Sequence, residues 1–149
     1  MNADGRAALS GQEFFNVYQQ GYERGSVSFI RKIRVLVVDD EELLCYSLDR
    51  CLSTENCEVI ATTFSEVGLS LIRQYKFDVA VLDIFMKPID GLELVKELRN
   101  HDTSCKIILI SAFLAEEIKK ELERFEVDEF IEKPYDLRLI QDKVMELAK

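Results

Sequence analysis

Ile33-Arg34-Val35-Leu36-Val37-Val38-Asp39-Asp40-Glu41 decides how this chain folds. Val35 to Val38 are all apolar and mostly β-branched, with no polar position alternating between them, which is the pattern of a strand buried on both faces of a parallel sheet. Acids follow at once. The arrangement recurs further along: Val79-Ala80-Val81-Leu82 leads into Asp83, Ile107-Ile108-Leu109-Ile110 into Ser111-Ala112, and Phe130-Ile131-Glu132 into Lys133-Pro134.

Strands are expected over 33–39, 57–62, 77–82, 106–111 and 128–132, with helices in the gaps. The first helix spans Glu41 to Leu52 and buries Leu44, Leu48 and Cys51. Ser65 is placed to cap the second, which turns Leu71, Ile72 and Tyr75 inward. The third begins after Gly91 and presents Leu94, Val95 and Leu98; the fourth presents Ile118, Leu122 and Phe125. Asp136 is an expected N-cap for the last, which offers Leu137, Ile140, Val144 and Leu147. Right-handed crossovers turn such a βα series into an α/β, doubly wound parallel sheet, whose ligands bind outside the carboxyl ends of the strands.

The 149 residues suffice for one ordinary domain. Apolar residues at 48% and charged residues at 32% fit a soluble globular protein, and the apolar runs are of strand length, too short to span a bilayer. Asp4, Glu13 and Glu23 interrupt the start of the chain, so a cleaved secretory signal is not expected and the default compartment is cytoplasmic. Residues 1–32 carry four of the 19 basic and three of the 28 acidic side chains, which leaves 15 basic against 25 acidic in the remainder. An acidic core argues against direct nucleic-acid binding. Cys45, Cys51, Cys57 and Cys105 form no C-x-x-C pair, and His101 lies far from them in sequence, so reduced thiols are expected in place of a metal or disulfide site.

Residues 1–32 stand outside the βα pattern and read as an N-terminal extension, with 33–149 as the main domain. Within the extension, Ser10-Gly11-Gln12-Glu13 reads as a capping box before an apolar stripe of Phe14, Val17, Tyr18 and Tyr22, with Gly21 placed to stop a short helix. That helix suits either a flap on its own domain or an interaction element.

The strand-end residues carry the chemistry. Asp39, Asp40 and Asp83 at one rim repel one another unless a cation is present, and oxygen-only ligands at an open site suit Mg²⁺. Ser111 and Lys133 add a hydroxyl and an ammonium, the donors that hold an anionic oxygen beside a metal. A carboxylate nucleophile, a divalent cation, a hydroxyl and a lysine together describe an acyl-phosphate site.

In these residues the chain from Ile33 to Ala148 resembles the receiver domains of two-component response regulators. Val-Val-Asp-Asp-Glu, Leu-Asp-Ile-Phe-Met-Lys-Pro-Ile-Asp-Gly, Ile-Ser-Ala and Glu-Lys-Pro occur in the family's order and spacing. The resemblance implies a CheY-like, flavodoxin-like sheet of five strands in the order 2-1-3-4-5 with five helices. It implies Asp83 as phosphoacceptor, Asp40 as a direct Mg²⁺ ligand with the Phe85 backbone carbonyl, and Asp39 as a ligand through water. Ser111 corresponds to the switch hydroxyl, Phe130 to the switch aromatic and Lys133 to the phosphoryl-binding lysine, with a cis Lys133–Pro134 bond. Implied partners are a sensor histidine kinase or phosphotransfer protein, which donates, and a downstream protein that reads the face of the fourth helix, fifth strand and fifth helix. The expected state is a monomer or a phosphorylation-dependent dimer, acting as a regulatory domain rather than an enzyme, either alone or as one piece of a longer protein.

Some positions depart from the family pattern. Lys87 separates Met86 from Pro88, Glu126-Val127 replaces the usual Gly-Ala before the fifth strand, and Ser111 stands where Thr is commoner. Phe85 and Phe113, each two residues past a site residue, are bulky enough to exclude an attacking water, which predicts slow autodephosphorylation. Two other readings remain open from the residues alone. A metal-dependent phosphohydrolase passing through an aspartyl phosphate usually has a second acid where Phe85 stands, and a pseudo-receiver would not need the intact set of Asp39, Asp40, Asp83, Ser111 and Lys133.

Overall fold

The buried run around Val35 forms β1 (Ile33–Val38), and the others form β2 (Cys57–Thr62), β3 (Val79–Asp83), β4 (Lys106–Ser111) and β5 (Glu129–Glu132) of the computed structural model. The structure describes Gly11 and residues 31–149, so the short helix expected near residues 10–22 lies, Gly11 apart, outside the described residues. The five strands pair in parallel throughout, in the order β2-β1-β3-β4-β5, the doubly wound arrangement expected.

Four strand limits differ from expectation: β3 runs one residue further and takes in Asp83, paired with Ile110, and the other three differ for a local reason. β3 starts at Val79 and β5 at Glu129 because an aspartate precedes each. Asp78 Oδ2 accepts from Arg34 N at 2.8 Å and Asp128 Oδ2 from Ile107 N at 2.8 Å, so a side chain takes the first ladder position at the foot of the sheet. β1 ends at Val38 because Asp39 Oδ1 accepts from Glu41 N at 2.9 Å and turns the chain into the next helix.

Within residues 31–149 the helices are α1 (Glu42–Leu52), α2 (Ser65–Gln74), α3 (Gly91–His101), α4 (Glu116–Glu123) and α5 (Leu137–Leu147). Alternate strand residues feed two layers. Leu36, Val38, Ala80, Leu82, Ile107 and Leu109 face α2, α3 and α4, while Val35, Val37, Val79, Val81, Ile108 and Ile110 face α1 and α5. Burial on both sides is why these strands are continuous apolar runs.

α1 sits one residue further round than its pattern suggests. It buries Cys45, Leu48 and Leu52 and leaves Leu44 and Cys51 half-buried. Ser65 does not cap α2: Phe64 holds the N-cap position without a side-chain bond, and the Ser65 hydroxyl instead accepts from Ile89 N at 3.2 Å. That contact ties the start of α2 to the loop after β3. Asp136 caps α5 as expected, accepting from Arg138 N at 2.9 Å, and Asp90 does the same for α3 through Glu93 N. Tyr75 and Phe125 fall just past the ends of α2 and α4, and pack half-buried against the same layer. α4 is the least anchored of these five helices, with Leu122 its one fully buried residue.

Candidate functional site

Parallel register places the chemistry. Val38 pairs with Leu82, Asp83 with Ile110 and Ser111 with Glu132, so Asp39, Asp83, Ser111 and Lys133 arrive at the same carboxyl edge of the sheet. Asp39 and Asp83 are buried there, 1% and 4% exposed. Lys133 Nζ is the common partner. It donates to Asp83 Oδ2 at 3.2 Å, to Asp39 Oδ1 at 3.5 Å and to Glu41 Oε1 at 2.8 Å. The backbone reinforces the placement, with Lys133 N donating to Ser111 O at 2.8 Å and Ile84 N to Ile110 O at 2.9 Å.

The electrostatics follow from burial. Burial and then the neighbouring charge of Asp39 push the Asp83 carboxyl up to about 7, against the pull of Lys133. Burial alone lowers the Lys133 ammonium, but its bond to Glu41 and the charges of Asp39 and Asp83 outweigh that and raise it overall. One ammonium therefore faces an excess of negative charge.

The acids fit a divalent cation. Asp39, Glu41 and Asp83 offer carboxylate oxygens within 4.8 Å of one another. Asp39 Oδ2, buried and 3.2 Å from the Lys133 ammonium, accepts no hydrogen bond. An oxygen-only donor set with an unused buried lone pair suits a hard ion such as Mg²⁺.

Of the residues singled out by sequence, the structure brings Asp39, Asp83 and Lys133 together. Asp40 is exposed at the rim and lies outside that group. Ser111 is fully buried, but its hydroxyl serves its own loop, donating to Phe113 O at 2.6 Å and accepting from Phe113 N at 3.1 Å. Phe130 is half-buried against the α4 side of the core. The Phe85 amide donates to Asp83 Oδ1 at 3.3 Å while its ring is exposed. Lys133–Pro134 is cis as expected; Lys87–Pro88, for which no cis bond was expected, is cis too.

Glu41 and Tyr135 have no assigned role in the sequence reading. Glu41 was visible as an acid beside Asp40, but nothing in the sequence shows that its carboxylate reaches Lys133. Tyr135 sits two residues past that lysine with a buried, unbonded hydroxyl, pushed up to about 12 by burial and then by Asp39.

Gly91 closes the loop around the acid. Its N–H donates to Ile84 O at 2.8 Å, and a Cβ there would land on the Asp83 carbonyl oxygen.

Comparison with known proteins gives a consistent picture. The family model for the response regulator receiver domain matches residues 35–145. The regulatory protein AtoC of Escherichia coli (strain K12) is 30% identical over 117 residues, which are 76% of this chain and 25% of that protein. The cell cycle response regulator CtrA of Brucella ovis is 27% identical over 103 residues, 69% of this chain and 44% of that protein. The chain thus spans less than half the length of these relatives. Among solved structures, a CheY-like receiver domain protein from Methanospirillum hungatei JF-1 superposes with a TM-score of 0.74 at 26% identity, over 78% of this chain and 94% of that one. The receiver domain of AraT, a response regulator from Geobacillus stearothermophilus, gives 0.67 at 28% identity, over 78% and 92%.

Proposed function

The chain belongs to the response regulator receiver domain family of two-component systems, and from that premise we propose that it is a switch phosphorylated on Asp83 by a histidine kinase or phosphotransfer protein. The observation that carries this reading is a buried carboxylate at the end of a central strand with a lysine ammonium 3.2 Å away.

In the proposed transfer a carboxylate oxygen of Asp83 attacks the phosphorus of a phosphohistidine. The phosphorus–nitrogen bond breaks, and the imidazole leaves with its electron pair and takes a proton from water. Asp40, Asp83 and the Phe85 carbonyl would hold Mg²⁺, with Asp39 reaching it through water. Bound there, Mg²⁺ neutralises charge that otherwise opposes attack by a carboxylate. Lys133 holds a phosphoryl oxygen on the other side. Ser111 then leaves the Phe113 backbone for the phosphoryl group, Phe130 turns inward, and the α4-β5-α5 face changes its affinity for a downstream protein. The small buried area of α4 suits an element that moves. We assign this role to residues 33–149 and treat 1–32 as an extension; the output is a population shift rather than turnover of a metabolite.

Acetyl phosphate with Mg²⁺, followed by intact-mass measurement, tests the acceptor. One added phosphate on the wild type and none on Asp83→Ala is expected, and equal labelling of both would sink the assignment.

A further inference from the structure

An ammonium has only three N–H donors, and those of Lys133 are shared among Asp39, Glu41 and Asp83. A phosphoryl group on Asp83 turns that carboxylate into a neutral acyl group and brings anionic acceptor oxygens, which compete with the two remaining carboxylates, Asp39 and Glu41, for the ammonium. The two are not equivalent. Asp39 is buried, and a buried carboxylate stripped of its counter-charge is costly. The Glu41 side chain is 59% exposed and can return to water.

Apart from its place in the acid cluster that could hold a cation, the Glu41 side chain serves only Lys133 among the described residues. Glu41 occupies the N-cap position of α1, yet its side chain makes no capping bond, and its backbone N–H is already held by Asp39 Oδ1 at 2.9 Å. Its carboxylate is spent on Lys133, at 2.8 Å the shortest of the three contacts.

We propose that Glu41 is an acidic latch, a positioning residue that holds Lys133 in the unphosphorylated protein and releases it to an oxygen of the phosphoryl group. The latch rests on Asp83 being the acceptor. Because the contact exists in one state and is lost in the other, it biases the switch toward its unphosphorylated form. Removing it favours the phosphorylated form without touching the acceptor.

The test uses beryllofluoride as a phosphoryl mimic, titrated calorimetrically at saturating Mg²⁺ into the full chain. Wild type, Glu41→Gln and Glu42→Gln are compared. Glu42 is the neighbouring acid in the first turn of α1 and is not a partner of Lys133, so it reports the loss of one negative charge alone. Glu41→Gln should tighten binding roughly two- to fivefold, the range of an exposed ion pair, while Glu42→Gln should match wild type. A gain in affinity is a readout that structural damage does not produce. Unchanged or weaker binding by Glu41→Gln would overturn the latch, weaker binding being the result expected of a metal ligand. Equal tightening by Glu42→Gln would also overturn it, as an effect of net charge. No binding by wild type would remove the acceptor reading and the latch with it.

Discussion

Phe85 and Phe113 turn apolar rings toward solvent, 52% and 67% exposed, two residues beyond Asp83 and Ser111. Hydrolysis of an acyl phosphate needs water in line with the phosphorus, and bulky rings at its approach leave less room for that water. Loss of label from the phosphorylated Phe85→Asn, Phe113→Glu double variant should accelerate by about tenfold, equivalent to about 1.4 kcal/mol of barrier. Intact mass against time measures it, and decay no faster than wild type removes the idea. Glu126 is held at φ 52°, in the left-handed region. A side chain there costs about 1–2 kcal/mol, which glycine avoids at the expense of extra freedom in the unfolded chain. The site is locked by Arg99, whose Nε and Nη2 donate to the carbonyls of Phe125 at 2.6 Å and Glu126 at 2.8 Å. Glu126→Gly should therefore raise stability by about 0.5–1 kcal/mol in urea unfolding. A lower midpoint at unchanged slope would contradict the strain.

The loop from β3 to α3 is where element geometry becomes site geometry. Gly91 opens α3 against the end of β3 so closely that an added Cβ would meet the Asp83 carbonyl oxygen and lie 2.8 Å from Ile84 Cα. Backbone atoms cannot swing aside as a side-chain tip can, so Gly91→Ala should shift the Asp83 backbone. A loss of about 2 kcal/mol in urea unfolding, in the range of overpacking, together with sharply reduced acetyl-phosphate labelling is the expected outcome. Wild-type labelling in this variant would show that the loop tolerates displacement. The sequence makes the elements themselves legible, because buried runs such as Val35–Val38 and Ile107–Ile110 carry an unmistakable period. It also shows which acids stand at strand ends, and hence Asp39 and Asp83 as rim partners. It does not show where a side chain spends its hydrogen bonds. Ser65 reads as a cap and instead holds Ile89, while Glu41 reads as a helix-start acid and instead grips Lys133. Both contacts join elements far apart in sequence, and local pattern has no access to them.

The two layers against the sheet bury thiols as well as hydrocarbons. Cys45 and Cys57 sit in the layer under α1 and α5, Cys105 in the opposite one, all three buried, and all four cysteines are free. Burial pushes the Cys45 and Cys57 thiols up to about 11 and Cys105 to about 12, with nearby aspartates adding to it. Each folded value lies above the ordinary 9.0, so the folded state binds these protons more tightly than the unfolded chain. Their contribution is complete below pH 9 and declines as pH rises toward the folded values. Between pH 9 and 11 each such thiol removes about 2 kcal/mol. Urea unfolding of wild type and Cys105→Ala across pH 8 to 11 isolates one of them. The variant starts less stable, because it loses buried volume, but should fall by about 2 kcal/mol less over the upper two units. Parallel curves would mean that Cys105 stays accessible to solvent, for which a second readout exists: iodoacetamide at pH 8 should leave Cys105 unmodified in the folded chain and alkylate it in urea. Alkylation of the native protein at that position would show that the layer beneath α3 and α4 opens far below the cost of global unfolding.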